Sequence, residues 1–373
     1  MFSIDRRIFS HFNWQLLGIT LILFFIGVVN LYSASSLKVE HGVRFIPYYK
    51  KQLIWGAGGL VAFFLAMVID YRRFKEIAFP LYILSLLLLA LVPFMGKTIS
   101  GARRWLDLGF FSFQPTELVK LSVIIWVSAY LSNLNSPIGW KDFFKILGVV
   151  LVPVALIVKQ PDLGSGLNIL MLVGGMMLFY GLKKRIIITV LIVVPLLCPI
   201  AWHFMKDYQK TRIRVLFNPE KYKLKEGYNI IQSKIAIGSG KMWGKGFLEG
   251  TQSQLRFLPE KHTDFVFAVF AEEWGFMGCL ILLLLCCVFL YQISKVVELS
   301  KDNFGAYLCV GIFFYFFWQF FINICMVLGV LPVVGIPLPF LSYGGSSTIV
   351  NFSLMGLVSN VSMRRFIFKN GFS

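Results

Sequence analysis

Residues 257–276 read "FLPEKHTDFVFAVFAEEWGF". A charged, proline-broken segment passes at Asp264 directly into an apolar helical pattern, which runs on to about residue 293. An apolar run of this length is long enough to cross a bilayer. Glu272 and Glu273 lie inside it, and carboxylates in hydrocarbon are costly and usually mark function or a specific partner. The stretch therefore predicts a membrane helix with an acid at its entrance.

Similar runs recur along the chain. Of 373 residues, 57% are hydrophobic and only 14% charged, with a mean hydropathy of +0.75. A soluble protein carries about 25% charged residues. The pattern predicts an all-α integral membrane protein with ten transmembrane helices, near 15–34, 52–70, 78–95, 117–132, 144–159, 165–182, 186–205, 264–293, 304–330 and 343–362. Arg6 and Arg7 before the first run resemble the opening of a signal peptide, but so many spans follow that an uncleaved first helix is expected. An even number of spans puts both termini on one side. Short loops on that side carry Arg72, Arg73, Lys75, Lys141, Lys145, Lys183, Lys184, Arg185, Lys295 and Lys301, besides Arg6, Arg7, Arg364, Arg365 and Lys369 at the ends, and the opposite short loops carry about half as many basic residues. Cytoplasmic termini follow. The whole chain, 1–373, reads as a single polytopic domain with one large basic extracytoplasmic loop, 206–263, between helices 7 and 8.

All six cysteines lie in apolar runs, which argues against a disulfide framework. The four histidines are scattered, and no HExxH, CxxC or P-loop is present; "AIGSGKMWGKGF" lacks Walker spacing.

Span parity places four unusual segments on the extracytoplasmic face. In "KTISGARRWLDLGFFSFQPTELVK", 97–120, Pro115 suits a first helical position, Glu117 falls in the first turn, and Lys120 is three residues on, on the same face. The two charges are either interfacial anchors or an ion pair facing a wet cavity. In "KQPDLGS", 159–165, Asp162 is a turn or cap residue, or part of a site. "PLPFLSYGGSS", 337–347, offers Ser342 and Ser346 as caps or anion contacts. The loop 206–263 holds twelve Lys or Arg against five Asp or Glu, which suits anionic lipid heads or diphosphates and not nucleic acid on this face. Its stretch 228–237 has the spacing of an amphipathic helix lying on the membrane surface.

A helix turns about 100° per residue, so Glu272 and Glu273 point away from Asp264 and are expected to bond across helices or to backbone. Asp264 remains alone, either a helix cap or a functional acid.

These segments, with "GYNIIQSKIAIGSG", "GKGFLEGTQSQLRFLPEKHTDF" and "AEEWG", resemble the SEDS family (shape, elongation, division, sporulation) over nearly the whole chain, in the order and spacing of its RodA/FtsW group. The short N-terminal segment and "FLPEKHTDF" are closer to the RodA, or elongation, branch. The resemblance implies a peptidoglycan glycosyltransferase acting on lipid II at the outer face of the cytoplasmic (inner) membrane. It implies that Asp264 is the essential acid and that Glu117 and Lys120 are the charged pair of the fourth helix. It also implies a divalent cation (Mg or Mn), a class B penicillin-binding transpeptidase as partner, and other membrane proteins of the elongation complex. One departure is visible: Val334 stands where the family commonly has Thr.

The chemistry agrees with the residues. An acceptor hydroxyl needs a base, which Asp264 supplies. The diphosphate leaving group needs positive charge, for which Arg103, Arg104, Lys261, Arg212 and Arg214 are candidates beside Lys120, while Gln114, Asp162, Ser342 and Ser346 are further substrate contacts. One carboxylate then suffices, unlike the pair of a glycosidase. A transporter of a lipid-linked precursor, or a scaffold of the wall-synthesis complex, are the rival readings.

Overall fold

The computed structural model describes residues 12–39, 42–45, 48–99, 102–107, 109, 112–222, 227–254 and 257–364. Arg6, Arg7, Arg365 and Lys369 of the loop-charge pattern, and His11 and His41, lie outside them.

The chain is mostly helical. In order come α1 (Trp14–Ser35), α2 (Tyr48–Val68), α3 (Tyr71–Glu76), α4 (Ala78–Met95), α5 (Pro115–Leu131), α6 (Trp140–Lys159), α7 (Leu163–Tyr180), α8 (Lys184–Phe204), α9 (Asp207–Phe217), α10 (Gly227–Gly240), α11 (Thr251–Gln254), α12 (Val266–Leu299), α13 (Asn303–Val327) and α14 (Gly345–Arg364). Among the described residues seven helices, α1, α2, α4, α7, α8, α12 and α13, are long and apolar enough to cross a membrane. Helices α5, α6 and α14 stand at expected spans but fall short of that measure. The reason is plain for α14. It is almost wholly buried along α2, so its polar residues are satisfied by protein. Thr348 Oγ1 accepts from Gln52 Nε2 at 3.0 Å, and Asn360 Nδ2 donates to the Ala66 carbonyl at 2.7 Å.

The all-α expectation needs one amendment. Two small antiparallel sheets connect helices: β1 (Ser36–Val39) with β2 (Gly42–Phe45), and β3 (Gly96–Ile99) with β4 (Ala102–Asp107) and β5 (Ser112–Phe113).

The expected span 264–293 also changes. Helix α12 is broken at Gly275, whose φ of 63° and ψ of −165° are non-helical. Every residue from Val266 to Glu273 is buried. Beyond the break the buried positions reduce to one stripe, Leu282, Cys286, Phe289, Ile293 and Val296. The part beyond the break, 276–299, thus presents most of its surface outward from the protein, while the part behind Asp264 is packed in protein. A break leaves backbone groups without helical partners. Here the loop after α10 supplies them. Lys245 and Gly246 N–H donate to the carbonyls of Glu272 and Glu273 at 3.0 and 3.1 Å, and Phe276 and Met277 N–H donate to those of Lys241 and Met242 at 2.9 and 3.1 Å. A side chain on Gly275 would collide with Gly244 backbone.

Helix α10 is not a free surface helix. Gly227, Ile230, Ser233, Ala236 and Gly240 form one buried face: Gly240 lies on the Ala271 carbonyl of α12, Gly227 packs on Pro219 and Tyr222, and Ser233 Oγ donates to the Val327 carbonyl of α13 at 2.7 Å.

Candidate active site

Asp264 lies in the turn before α12. The N-cap of that helix is Phe265, with no side-chain cap bond, so the Asp264 carboxylate does not cap. Its backbone is tied to the 331–344 segment at several points. Asn323 Nδ2 donates to the Asp264 carbonyl at 3.0 Å and to the Ile336 carbonyl at 2.7 Å. Ser342 Oγ donates to the Thr263 carbonyl at 2.6 Å and accepts from Leu338 N–H at 2.8 Å. Tyr343 N–H donates to the His262 carbonyl at 2.8 Å. Gly335, at φ 73°, turns the chain against the acid: a Cβ there would sit 3.5 Å from Asp264 Oδ2.

The carboxylate is partly open to solvent, and among the described residues nothing donates a hydrogen bond to it. Its pKa is pushed up to about 6, first by enclosure in protein and then by the negative charge of Glu260. Arg212 pulls it back, Asp162 adds to the rise, and Arg104 opposes it. An acid that is partly open, without a side-chain hydrogen bond and with a raised pKa is the pattern of a functional group rather than a structural one. His262 beside it is held down to about 4 by burial and by Lys261, so it is neutral. Its ring rests on Tyr48 with centroids 4.5 Å apart.

The predicted residues divide into those near Asp264 and those elsewhere. Arg212 lines a recess with Val215, Asn229, Ile230 and Val333. Arg104 Nε donates to the Gln160 carbonyl at 3.2 Å and its terminal nitrogen to the Pro161 carbonyl, which leaves the guanidinium 3.9 Å from Asp162. Asp162 itself caps α7 by accepting from Ser165 N–H at 3.2 Å. Lys261 is buried next to the turn. Arg103 is exposed and bonds Thr98 Oγ1 of its own hairpin at 3.3 Å and the Pro93 carbonyl at the end of α4 at 3.2 Å. Arg214 is exposed over the Trp202 ring, 5.7 Å from its centroid. Ser346 Oγ accepts from Gln114 N–H at 3.0 Å and donates to the Ser112 carbonyl at 3.4 Å. That pair joins the starts of α5 and α14.

Glu117 and Lys120 are each 3% exposed, with Oε1 and Nζ 2.7 Å apart. Tyr315 hydroxyl lies 3.3 Å from Glu117 Oε2 and 2.8 Å from Asn351 Oδ1, and Lys120 Nζ sits 5.8 Å from the Tyr315 ring centre. Glu272 Oε1 receives Lys245 Nζ at 2.7 Å and the N–H groups of Thr251 and Gln252 at 2.8 and 3.0 Å, while Glu273 accepts from Ser33 Oγ. Both act structurally, across to other elements.

Asn323, Tyr315 and Asn351 are the contributors that sequence reasoning missed. A lone Asn within an apolar helix was the available signal for the first; Tyr315, in a run of aromatics, had none.

The implied divalent cation meets no group of three or more His, Cys, Asp or Glu donors among the described residues. A cage built by protein alone does not fit. Mg and related ions commonly take one or two carboxylates and complete their shell with water and substrate phosphates.

A family model described as cell cycle protein, for FtsW, RodA and SpoVE, matches residues 13–366. The chain is 39% identical over 358 residues to the peptidoglycan glycosyltransferase MrdB of Escherichia coli strain K12, covering 95% of this chain and 94% of that protein. It is 36% identical over 371 residues to a probable peptidoglycan glycosyltransferase FtsW of Geobacter sp. strain M18, covering 96% and 98%. A solved chain from a peptidoglycan synthase complex that coordinates polymerization and crosslinking superposes with a TM-score of 0.81 at 32% identity, covering 95% of this chain and 98% of that one. The crystal structure of the Thermus thermophilus rod shape determining protein RodA gives 0.71 at 29% identity, covering 96% and 98%.

Proposed function

We propose that this chain, which belongs to the FtsW, RodA and SpoVE family and is a peptidoglycan glycosyltransferase of cell-wall elongation, polymerises lipid II with Asp264 as its general base. The observation that carries the role of Asp264 is its partly open carboxylate, which no side chain among the described residues hydrogen-bonds and on which the positive charges of Arg212 and Arg104 act. As the acceptor hydroxyl oxygen bonds to the donor's anomeric carbon, its proton passes to Asp264. The bond from that carbon to the diphosphate breaks, and its electron pair leaves with the diphosphate. Direct displacement at an α-linked donor inverts the centre and gives a β linkage. A pKa near 6 suits a base that must be ionised at neutral pH yet accept a proton readily. Arg212, on the recess, and Arg104 are the cations best placed to stabilise the leaving group, ahead of Arg103 and Arg214.

Ten helices cross the cytoplasmic membrane in this reading, with α5, α6 and α14 joining the seven apolar ones. The termini are cytoplasmic, and the Asp264 end, with the 206–263 loop as part of the single domain, faces outward. Loop charge supports this orientation. A class B transpeptidase is the proposed partner, supported by the synthase complex to which the chain is similar.

The test is lipid II polymerisation by Asp264→Asn at matched expression and matched partner binding. General-base loss lowers the rate by about 10²–10⁴-fold. Near-normal polymer refutes the assignment, and transport of labelled lipid II across liposomes without polymer would favour the transporter reading.

A further inference from the structure

One side chain joins the turn bearing Asp264 to the segment that borders its carboxylate. Asn323 on α13 has no exposed surface. A carboxamide nitrogen has two hydrogens to donate, and Asn323 places both on carbonyls, those of Asp264 and Ile336. Ile336 follows Gly335, where an added Cβ would sit 3.5 Å from Asp264 Oδ2. The bridge thus holds together the acid and the wall it faces. The wall is anchored in turn from α13, where Val334 N–H reaches Met326 Sδ at 3.4 Å.

We propose that Asn323 is a positioning residue for glycosyl transfer: by bridging the Asp264 and Ile336 carbonyls it fixes where the Asp264 carboxylate stands relative to the acceptor hydroxyl. The inference rests on the reading of Asp264 as general base. Its physical ground is that no donor among the described residues holds the carboxylate itself. The direction of the acid is then set by its backbone, and the backbone by Asn323 together with the hydroxyl of Ser342. A displacement of about 1 Å in a reacting group costs on the order of 10²-fold in rate. A purely structural amide would also satisfy two buried carbonyls, but its loss would not act through Asp264.

The experiment uses the full chain with its transpeptidase partner and measures steady-state lipid II polymerisation for the parent, Asn323→Ala, Asp264→Asn and the double variant, with thermal unfolding alongside. Asn323→Ala is expected to lower kcat by about 10–100-fold, to leave KM for lipid II within about two-fold, and to add no further loss in the Asp264→Asn background, as coupled residues behave. Where Asn323→Ala gives no folded protein, Asn323→Gln, which keeps the donors but lengthens the arm, should lower kcat at unchanged KM. A parental kcat in the folded Asn323 variants, a change in KM alone, or losses that multiply with Asp264→Asn would overturn the proposal. If Asp264→Asn itself polymerises normally, the base assignment fails first and takes this inference with it. If Asp264→Asn is inactive while the Asn323 variants are normal, only the positioning role is wrong.

Discussion

Separating Glu117 from Lys120 should destabilise the bundle more than removing both. The two side chains are 3% exposed and meet at 2.7 Å, so solvent screens them little. Lys120→Met leaves the Glu117 carboxylate, among the described residues, with the Tyr315 hydroxyl at 3.3 Å. Glu117→Gln leaves the ammonium over the Tyr315 ring at 5.8 Å. Breaking a buried pair from one side typically costs about 3–5 kcal/mol, because a buried charge is left uncompensated, whereas replacing both partners is often near neutral. Each single variant should therefore unfold at a clearly lower temperature, and the Glu117→Gln/Lys120→Met double variant should recover most of the loss. Thermal unfolding of detergent-purified protein, followed by tryptophan fluorescence, gives the coupling directly. The exchange of the two residues should restore folding in part, with Tyr315 now facing the wrong sign. Single variants as stable as the parent would show that the pair is solvated and that the reasoning from burial is wrong.

Three further outcomes concern pH and orientation. Asp264 must be ionised to act, and its pKa is raised from 3.8 to about 6, so kcat/KM should fall about tenfold per pH unit below pH 6. The same shift means that stability present below pH 3.8 is lost as pH rises through about 6, so Asp264→Asn should unfold at a higher temperature than the parent at pH 7.5 and converge with it at pH 4. A limb near pH 4 would refute the perturbed acid. In a chain freed of its six native cysteines, single cysteines at the exposed positions Lys221 and Ser136 should differ: an impermeant thiol reagent added outside intact cells should label the first and not the second. The reverse pattern would invert the proposed topology.

Much of this was readable in the residues because it depended on local periodicity. Apolar runs located the helices, and the three-residue spacing of Glu117 and Lys120 put both on one face of α5. Asp264 stood out because it interrupts the passage from a charged segment to an apolar one. What escaped needed distant partners or a local geometry that hydropathy does not register. Asn323 meets Asp264 across 59 residues. Arg103 and Arg104 looked equivalent, yet they are neighbours on β4, where successive side chains point to opposite faces, and only Arg104 reaches Asp162. The break at Gly275 was hidden because the apolar pattern resumes directly beyond it and the two glutamates before it gave no sign of a turn. Its partners were on view as Gly244 and Gly246, but nothing in their spacing said which helix they would meet.

The stitched break also defines what evolution or an engineer can move as a piece. Four backbone hydrogen bonds run from residues 241–246 into 272–277, and Glu272 adds bonds to Lys245, Thr251 and Gln252. Leaving such buried groups without partners costs about 1–3 kcal/mol each. A chimera that exchanged the basic loop but kept the native eighth span would keep these bonds only where the incoming loop followed the same backbone path, and a loop of different length there would lose several at once. Loop and span are thus a single unit of inheritance, joined in register although the primary structure separates them.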